Sequence, residues 1–350
     1  MIQVLLVDDS EVTLMVLQNI LEKEPDIEVI GIAKNGSDAI TLAQRLAPDI
    51  ITMDINMPGL DGFVATRRIM EASPVPIIIV SGIDNLDEIR ASFRAVEAGA
   101  LAVYRKPPGI GDPDFESAAN EFVSAIRTFS EIKVVRRRGN HRLRHKPGTE
   151  DLGIPFQIRH DIRAVVIGAS TGGPQVIQEI LQSIPPGFSL PMVLVQHMSP
   201  GFVEGFGLWL TESTGYSVRV AKEGEAVQPG VLYLAPDGVH TGITSDLRII
   251  FSKDGPEHNL RPSVSYLFRS AAKYLGPHTL GILLTGMGSD GAEELLQIRQ
   301  SGGCTIIQDQ DTSFIYGMPG VADSLHAGMF SLPPGEIAKF LQSVSGKGLL

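Results

Sequence analysis

Along the first 130 residues, short apolar runs alternate with longer stretches whose apolar residues recur every three or four positions. The runs at 4–7, 28–33, 50–53, 77–80 and 102–104 predict strands, and the stretches at 11–24 and 37–46 predict helices between them. Five such repeats predict a parallel sheet with helices on both faces. The segments VLLV and IIIV are apolar throughout, as strands covered on both sides should be. A second series starts at Ala164 with AVVIG and a helix from Gly173. MVLVQ, VLYLA, RIIF, GILLT and CTIIQ follow, separated by loops rich in Gly and Pro. The second half is therefore also expected to be α/β and mostly parallel. No short-period repeat of the solenoid kind is present in the sequence.

Between the two series the pattern breaks. Residues 131–148 (EIKVVRRRGNHRLRHKPG) hold 7 Lys or Arg, 2 His and a single acid, with almost no apolar periodicity. That composition suits a solvated linker, or alternatively a docking strip for an acidic partner. The domains are accordingly drawn at 1–125 and 161–350, with a basic linker over 126–160. Both flanks are acidic: residues 1–130 carry 20 acids and 10 bases, residues 164–350 carry 16 and 10, and the whole chain has a net charge of −11. This balance argues against nucleic-acid binding, which needs basic surface to neutralise phosphates. The one cysteine, Cys304, excludes an intramolecular disulfide and a four-cysteine zinc site. No run reaches the ~18 apolar residues of a spanning helix. The opening MIQVLLVDDS has two acids where a secretory signal would be basic. A cytoplasmic location without direct membrane insertion is expected.

In an open parallel sheet, ligands collect at the carboxyl ends of the strands. Asp8 and Asp9 follow the first predicted strand, Asp54 the third, Ser81 the fourth and Lys106 the fifth. Converging carboxylates repel unless a cation shares the site, and oxygen ligands in this number suit Mg²⁺. Met57-Pro58-Gly59 makes a tight turn beside Asp54. A single acid here could instead cap a helix, as Asp9 or Ser10 could near Glu11. The full set, in order on five strands, resembles the receiver domain of bacterial response regulators. The resemblance implies a (βα)5 flavodoxin-like fold with Asp54 as the phosphorylated carboxylate. It further implies that Asp8, Asp9, Asp54 and the Asn56 carbonyl hold Mg²⁺, and that Ser81 and Lys106 bind the phosphoryl group. One departure is visible: the position three before Lys106, often aromatic in receivers, is Val103, with Tyr104 next to it.

In the second half, Gly168-Ala169-Ser170-Thr171-Gly172-Gly173 follows a strand and precedes a helix that Pro174 can open. Such a turn can present a serine nucleophile, as in a G-x-S-x-G elbow, or cradle a phosphate. It fits neither G-x-G-x-x-G nor the lysine-bearing P-loop pattern. A nucleophilic serine needs a base, and the base an orienting group. His197 closes MVLVQ, and Asp290 follows GILL in Leu-Thr-Gly-Met-Gly-Ser-Asp-Gly. His240, after VLYLA, is the rival base, while Asp237, Asp309 and Asp311 are alternative acids.

The run of motifs Gly-Ala-Ser-Thr-Gly-Gly, Gln-His-Met, Leu-Tyr-Leu-Ala-Pro-x-x-x-His, Arg-Pro-Ser-Val, Leu-Thr-Gly-Met-Gly-x-Asp-Gly and Tyr-Gly-Met-Pro resembles the catalytic domain of CheB-type chemotaxis methylesterases. The resemblance implies a doubly wound, mostly parallel catalytic domain. It implies Ser170 as nucleophile, His197 as general base and acid, Asp290 as its orienting carboxylate, and an oxyanion hole from backbone N–H groups near Thr171 and Met287. Ser265 stands where an Asp is frequent. The implied activity is hydrolysis of glutamate γ-methyl esters on methyl-accepting chemoreceptors, with glutamine deamidation by the same steps and no cofactor for the esterase. A histidine kinase would be the phosphodonor, and phosphorylation of Asp54 would relieve inhibition by the receiver. Two other readings stay open: the same chemistry in a non-motility receptor array, and a response regulator whose output domain only binds proteins.

Overall fold

The computed structural model describes residues 1–82, 86–132, 162–185 and 187–345, so most of the basic linker at 126–160 lies outside the described residues. The chain divides into two compact units, Met1–Thr149 and Glu150–Leu350.

The first unit runs β1 (Ile2–Val7), α1 (Glu11–Leu21), β2 (Ile27–Ala33), α2 (Gly36–Leu46), β3 (Ile50–Met53), α3 (Gly62–Ala72), β4 (Ile77–Ser81), α4 (Leu86–Glu97), β5 (Ala102–Arg105) and α5 (Phe115–Ser130). Helix α5 continues past residue 125, where the sequence placed the end of the domain. The strands form one parallel sheet in the order β2-β1-β3-β4-β5. Alternation within each strand covers both faces. Leu5, Val7, Ile51, Met53, Ile77 and Ile79 pack with Ala39, Ala65, Ile69 and Ala95 of α2, α3 and α4. The intervening Val4, Leu6, Ile50 and Ile78 are equally buried. This is why the VLLV and IIIV runs carry no polar residue. Val103 packs on the first of these faces, while the Tyr104 ring meets Phe129 of α5 edge-on at 6.1 Å.

The second unit runs β6 (Ala164–Ala169), α6 (Gly173–Ser183), β7 (Met192–Gln196), α7 (Val203–Thr214), β8 (Ser217–Val220), β9 (Val231–Leu234), β10 (His240–Ile243), β11 (Ile249–Ser252), α8 (Val264–Tyr274), β12 (Thr279–Leu283), α9 (Ala292–Gln300), β13 (Cys304–Gln308), α10 (Met318–Ser324), β14 (Phe330–Leu332) and α11 (Pro334–Ser345). A seven-stranded parallel sheet has the order β14-β13-β12-β6-β7-β9-β8. The chain enters at β6, goes one way to β7 and later returns to β12 on the other side. The crevice outside β6 is thus a topological switch point, where doubly wound sheets bind ligands.

One expected member of the parallel series behaves differently. The RIIF run supplies β11, which pairs antiparallel with β10 in a separate two-stranded sheet. Only residues 244–248 connect the two strands, with Leu247 at φ 60, whereas a parallel neighbour would need a crossover of a dozen or more residues. The hairpin buries Ile243 and Ile249 in the same cluster as Val166, Val193, Phe268 and Leu295.

Candidate functional site

Two clusters lie at strand carboxyl ends, one in each unit. In the first, Ser10 caps α1 by accepting from Thr13 N–H at 3.3 Å, and Asp8 accepts from Ser10 N–H at 2.9 Å. The serine takes the capping role, and the carboxylates of Asp8, Asp9 and Asp54 converge with their oxygens within 4.8 Å of one another. Lys106 places its ammonium 2.7 Å from Asp8 and 3.1 Å from Asp54. Burial pushes the Asp54 carboxyl up; the Lys106 charge opposes this and Asp8 adds to it, leaving it at about 6. Burial pulls the Lys106 ammonium down, but its hydrogen bond to Asp8 and the two carboxylate charges hold it above its ordinary value. Three converging carboxylates with one shared ammonium are a hard-oxygen donor set that fits Mg²⁺. Ser81 ends β4 as a buried residue, and its carbonyl accepts from Lys106 N–H at 2.9 Å. Asn56 is exposed on the loop after β3.

In the second unit, the register pairs Ala169 of β6 with Gln196 of β7 and Gly168 with Leu283 of β12. Ser170, His197 and the loop carrying Asp290 therefore leave three adjacent strands on the same edge. The backbone ties them further: His197 N–H donates to the Ala169 carbonyl at 2.9 Å, and Ser170 N–H to the Thr285 carbonyl at 3.0 Å. Gly172 has φ 79, which lets the chain turn sharply from Ser170 into α6. Gly286 faces Ser170 so closely that a Cβ there would lie 2.6 Å from the serine Cβ.

His197 Nε2 lies 2.9 Å from Asp290 Oδ2, both side chains being almost fully enclosed. Among the described residues, no hydrogen bond joins the Ser170 hydroxyl to that ring. Free enzymes commonly hold such contacts loosely until substrate is bound.

Asp290 has a second set of partners. It accepts from Ser263 Oγ at 2.8 Å, Val264 N–H at 2.7 Å and Ser265 N–H at 2.9 Å. The last two are first-turn amides of α8, which would otherwise lack partners. Ser263 is the N-cap of α8 but makes no side-chain cap bond; its hydroxyl goes to Asp290, and the carboxylate caps the helix in its place. Burial pushes the Asp290 carboxyl up, but His197 and Ser265 outweigh it, and the group sits well below the ordinary carboxylate range. Ser265 also accepts from Gly291 N–H through its hydroxyl at 2.9 Å.

His240, the rival base, is fully buried. Its Nδ1 accepts from Ser263 N–H at 3.2 Å, so Nε2 carries the proton donated to the Gly255 carbonyl at 3.0 Å, and its ring stacks on Tyr266. With both nitrogens engaged it supports the α8 turn and has no lone pair for a nucleophile. Among the alternative acids, Asp237 accepts from Gly201 N–H and Asp309 from Thr312, so both fasten loops. Asp311 is exposed. Thr171 is held through its carbonyl by Thr285 Oγ1 at 2.9 Å, and Met287 is 54% exposed beyond Gly286.

Sequence reasoning did not single out Ser263, Thr285, Gln196 or Gln308, whose Oε1 accepts from Thr285 N–H at 2.8 Å. The polar ends of MVLVQ and CTIIQ were the available signal, since a Gln closing an apolar strand needs a partner for its amide.

Residues 165–341 match the family model described as CheB methylesterase, and residues 4–112 match the response regulator receiver domain. A protein-glutamate methylesterase/protein-glutamine glutaminase of Methanospirillum hungatei is 76% identical over 345 residues, covering 99% of each chain. One of Syntrophus aciditrophicus is 46% identical over 350 residues, again covering 99% of each. Among solved structures, the CheB methylesterase catalytic domain of Thermotoga maritima superimposes with a TM-score of 0.51 at 33% identity, covering 52% of this chain and 98% of that one.

Proposed function

The chain belongs to the CheB methylesterase family and carries a receiver domain at its N-terminal side, and from that premise we propose how its two sites work. The enzyme hydrolyses protein glutamate γ-methyl esters and deamidates protein glutamines, in a chemotaxis adaptation role.

In the proposed mechanism, Ser170 attacks the γ-carbonyl carbon of the methylated glutamate. Because Nε2 of His197 is committed to Asp290, Nδ1 takes the serine proton. Asp290, kept ionised by four donors, fixes the ring and stabilises the imidazolium. Backbone N–H groups at Thr171 and Met287 receive the developing oxyanion, a contribution whose loss typically costs ~10²–10³ in turnover. The bond from the ester carbonyl carbon, Cδ of the glutamate, to the methoxy oxygen breaks, methanol leaves with the proton from His197, and an acyl-Ser170 remains. Water then attacks, gives a proton to His197, and the Ser170 oxygen leaves as the hydroxyl, freeing glutamate. With glutamine the first leaving group is ammonia.

The substrate is a methylated glutamate on the cytoplasmic helices of a chemoreceptor, which places the enzyme in the cytoplasm. No helix among the described residues is long and apolar enough to cross a membrane. In the receiver, Asp54 accepts a phosphoryl group from a histidine kinase, and Ser81 and Lys106 bind it. Asp8, Asp9, Asp54 and the Asn56 carbonyl would hold Mg²⁺, whose charge offsets that of the phosphoryl oxygens. Phosphorylation relieves restraint of the catalytic domain by the receiver.

The observation that supports this reading most is the His197–Asp290 contact beside the Ser170 turn. Capping of α8 alone accounts for the serine and amide contacts of Asp290 but not for the imidazole beside the Ser170 turn, which favours catalysis over a purely binding output domain. The test is methanol release from methylated receptor membranes, with and without acetyl phosphate and Mg²⁺. Release that rises with acetyl phosphate and vanishes in Ser170→Ala supports the reading. Unchanged release in Ser170→Ala refutes it.

A further inference from the structure

Gln196 ends β7 and is buried, with 7% of its surface exposed. Its Nε2 donates to the Ser170 carbonyl at 2.7 Å and to the His197 carbonyl at 2.8 Å. Two carbonyl acceptors fix the amide orientation, since only the NH₂ end can serve both. The same orientation leaves Oε1 buried without a hydrogen-bond partner among the described residues. A buried unsatisfied carbonyl is unfavourable, and a residue chosen for stability alone would avoid it. Gly173, the first residue of α6, makes room for this oxygen: a Cβ there would lie 2.1 Å from it. Gly173 does not have a positive φ, so conformation alone does not require glycine at that position. Space does: the tightest approach is to the Gln196 amide, and the Ala169 Cβ would lie 2.9 Å away.

We infer that Gln196 is a positioning residue for hydrolysis: one buried amide clamps the backbone carbonyls of Ser170 and His197 and so sets the spacing of nucleophile and base. It touches no substrate atom and acts through the two residues it holds. This rests on the roles proposed above for Ser170 and His197. Displacements of about 1 Å between reacting groups can cost as much as ~10²-fold in rate.

The test compares Gln196→Leu, Gly173→Ala and the double variant in the full-length protein. Methanol release from methylated receptor membranes gives kcat and KM, and the rate of Ser170 labelling by a fluorophosphonate gives nucleophile reactivity. Gln196→Leu, close in size, is expected to lower kcat and labelling about tenfold with KM within twofold. Gly173→Ala is expected to do the same by pushing the amide off its carbonyls, and the two effects to be non-additive because both act through that amide. Ser170→Ala is run alongside. If it keeps activity, the proposed nucleophile is wrong; if it is inactive while Gln196→Leu retains full kcat and labelling, only the clamp is wrong. A fall in melting temperature with kcat and labelling unchanged, or fully additive losses, likewise overturns the clamp.

Discussion

The two units each bury an aspartate at a strand's carboxyl end, and the two carboxyls are driven in opposite directions. Asp54 is 5% exposed and Asp290 is 2% exposed, so burial alone does not separate them. Asp54 accepts one backbone bond, from Ile55 N–H at 2.8 Å, and shares its ammonium with Asp8, so burial prevails and its pKa rises to about 6. Asp290 accepts from an imidazole, a hydroxyl and two helix amides, and falls well below the ordinary range. At comparable burial, the donors and charges facing a carboxylate set the direction in which its pKa moves. Asp54 is left with spare charge affinity that a cation and a phosphoryl group can use. In the proposed mechanism, Asp290 is a charge that stays fixed during turnover.

That contrast can be broken most sharply at Asp290. Asp290→Asn should reduce kcat for methanol release by about 10⁴-fold, because an amide cannot hold the His197 ring as the carboxylate does. A loss below tenfold would mean that His197 does not depend on Asp290. The matching change in the other unit, Asp54→Asn, should leave no stimulation by acetyl phosphate. That stimulation is expected to fall in the ~5–150-fold range of ordinary coupling between sites, as is the gain in a fragment beginning at Arg159. Equal rates for the fragment and the full chain would reject restraint by the receiver.

The electrostatic half of the contrast is testable through stability. Asp290's folded pKa lies below its unfolded value near ~3.9, so its contribution is fully present above that value and is lost as pH falls below it. Asp290→Asn should therefore cost on the order of 2 kcal/mol at pH 7, with the penalty shrinking below about pH 4 in denaturant titrations. A penalty independent of pH would indicate lost packing rather than lost charge. The smallest effect is expected for Ser263→Ala, which removes one of four donors: about fivefold in kcat, the equivalent of the ~1 kcal/mol net worth of a typical hydrogen bond. No change in kcat would make the Ser263 contact incidental.

Much of this architecture is legible in the sequence because parallel strands buried on both faces leave unbroken apolar runs. AVVIG, MVLVQ and CTIIQ announce β6, β7 and β13 directly. The strands that escape notice are those without such runs. β8 is an edge strand reading Ser-Val-Arg-Val with alternating exposure, β14 has three residues, and β10 carries a histidine and a glycine. RIIF shows the limit of the pattern, since an apolar run predicts a strand but not its partner. The same holds at the site. Ser170, His197 and Asp290 are readable because each follows a strand in an ordered sheet. Ser263 is not, since its hydroxyl would ordinarily cap its own helix and only the fold brings Asp290 to it. Position alone does not separate His240 from His197, since both follow strands; the family resemblance names His197, and the hydrogen bonds at both ring nitrogens of His240 support that proposal.

The central claim is that the Ser170 hydroxyl is activated by an imidazole held by Asp290. Labelling of the full-length protein with a fluorophosphonate, followed by peptide mass spectrometry, tests it most directly. A single adduct on Ser170 is expected, forming rapidly in the wild type and nearly abolished in His197→Ala and Asp290→Asn. Equal labelling of Ser170 in all three proteins, or an adduct on a different residue of the active enzyme, would contradict it.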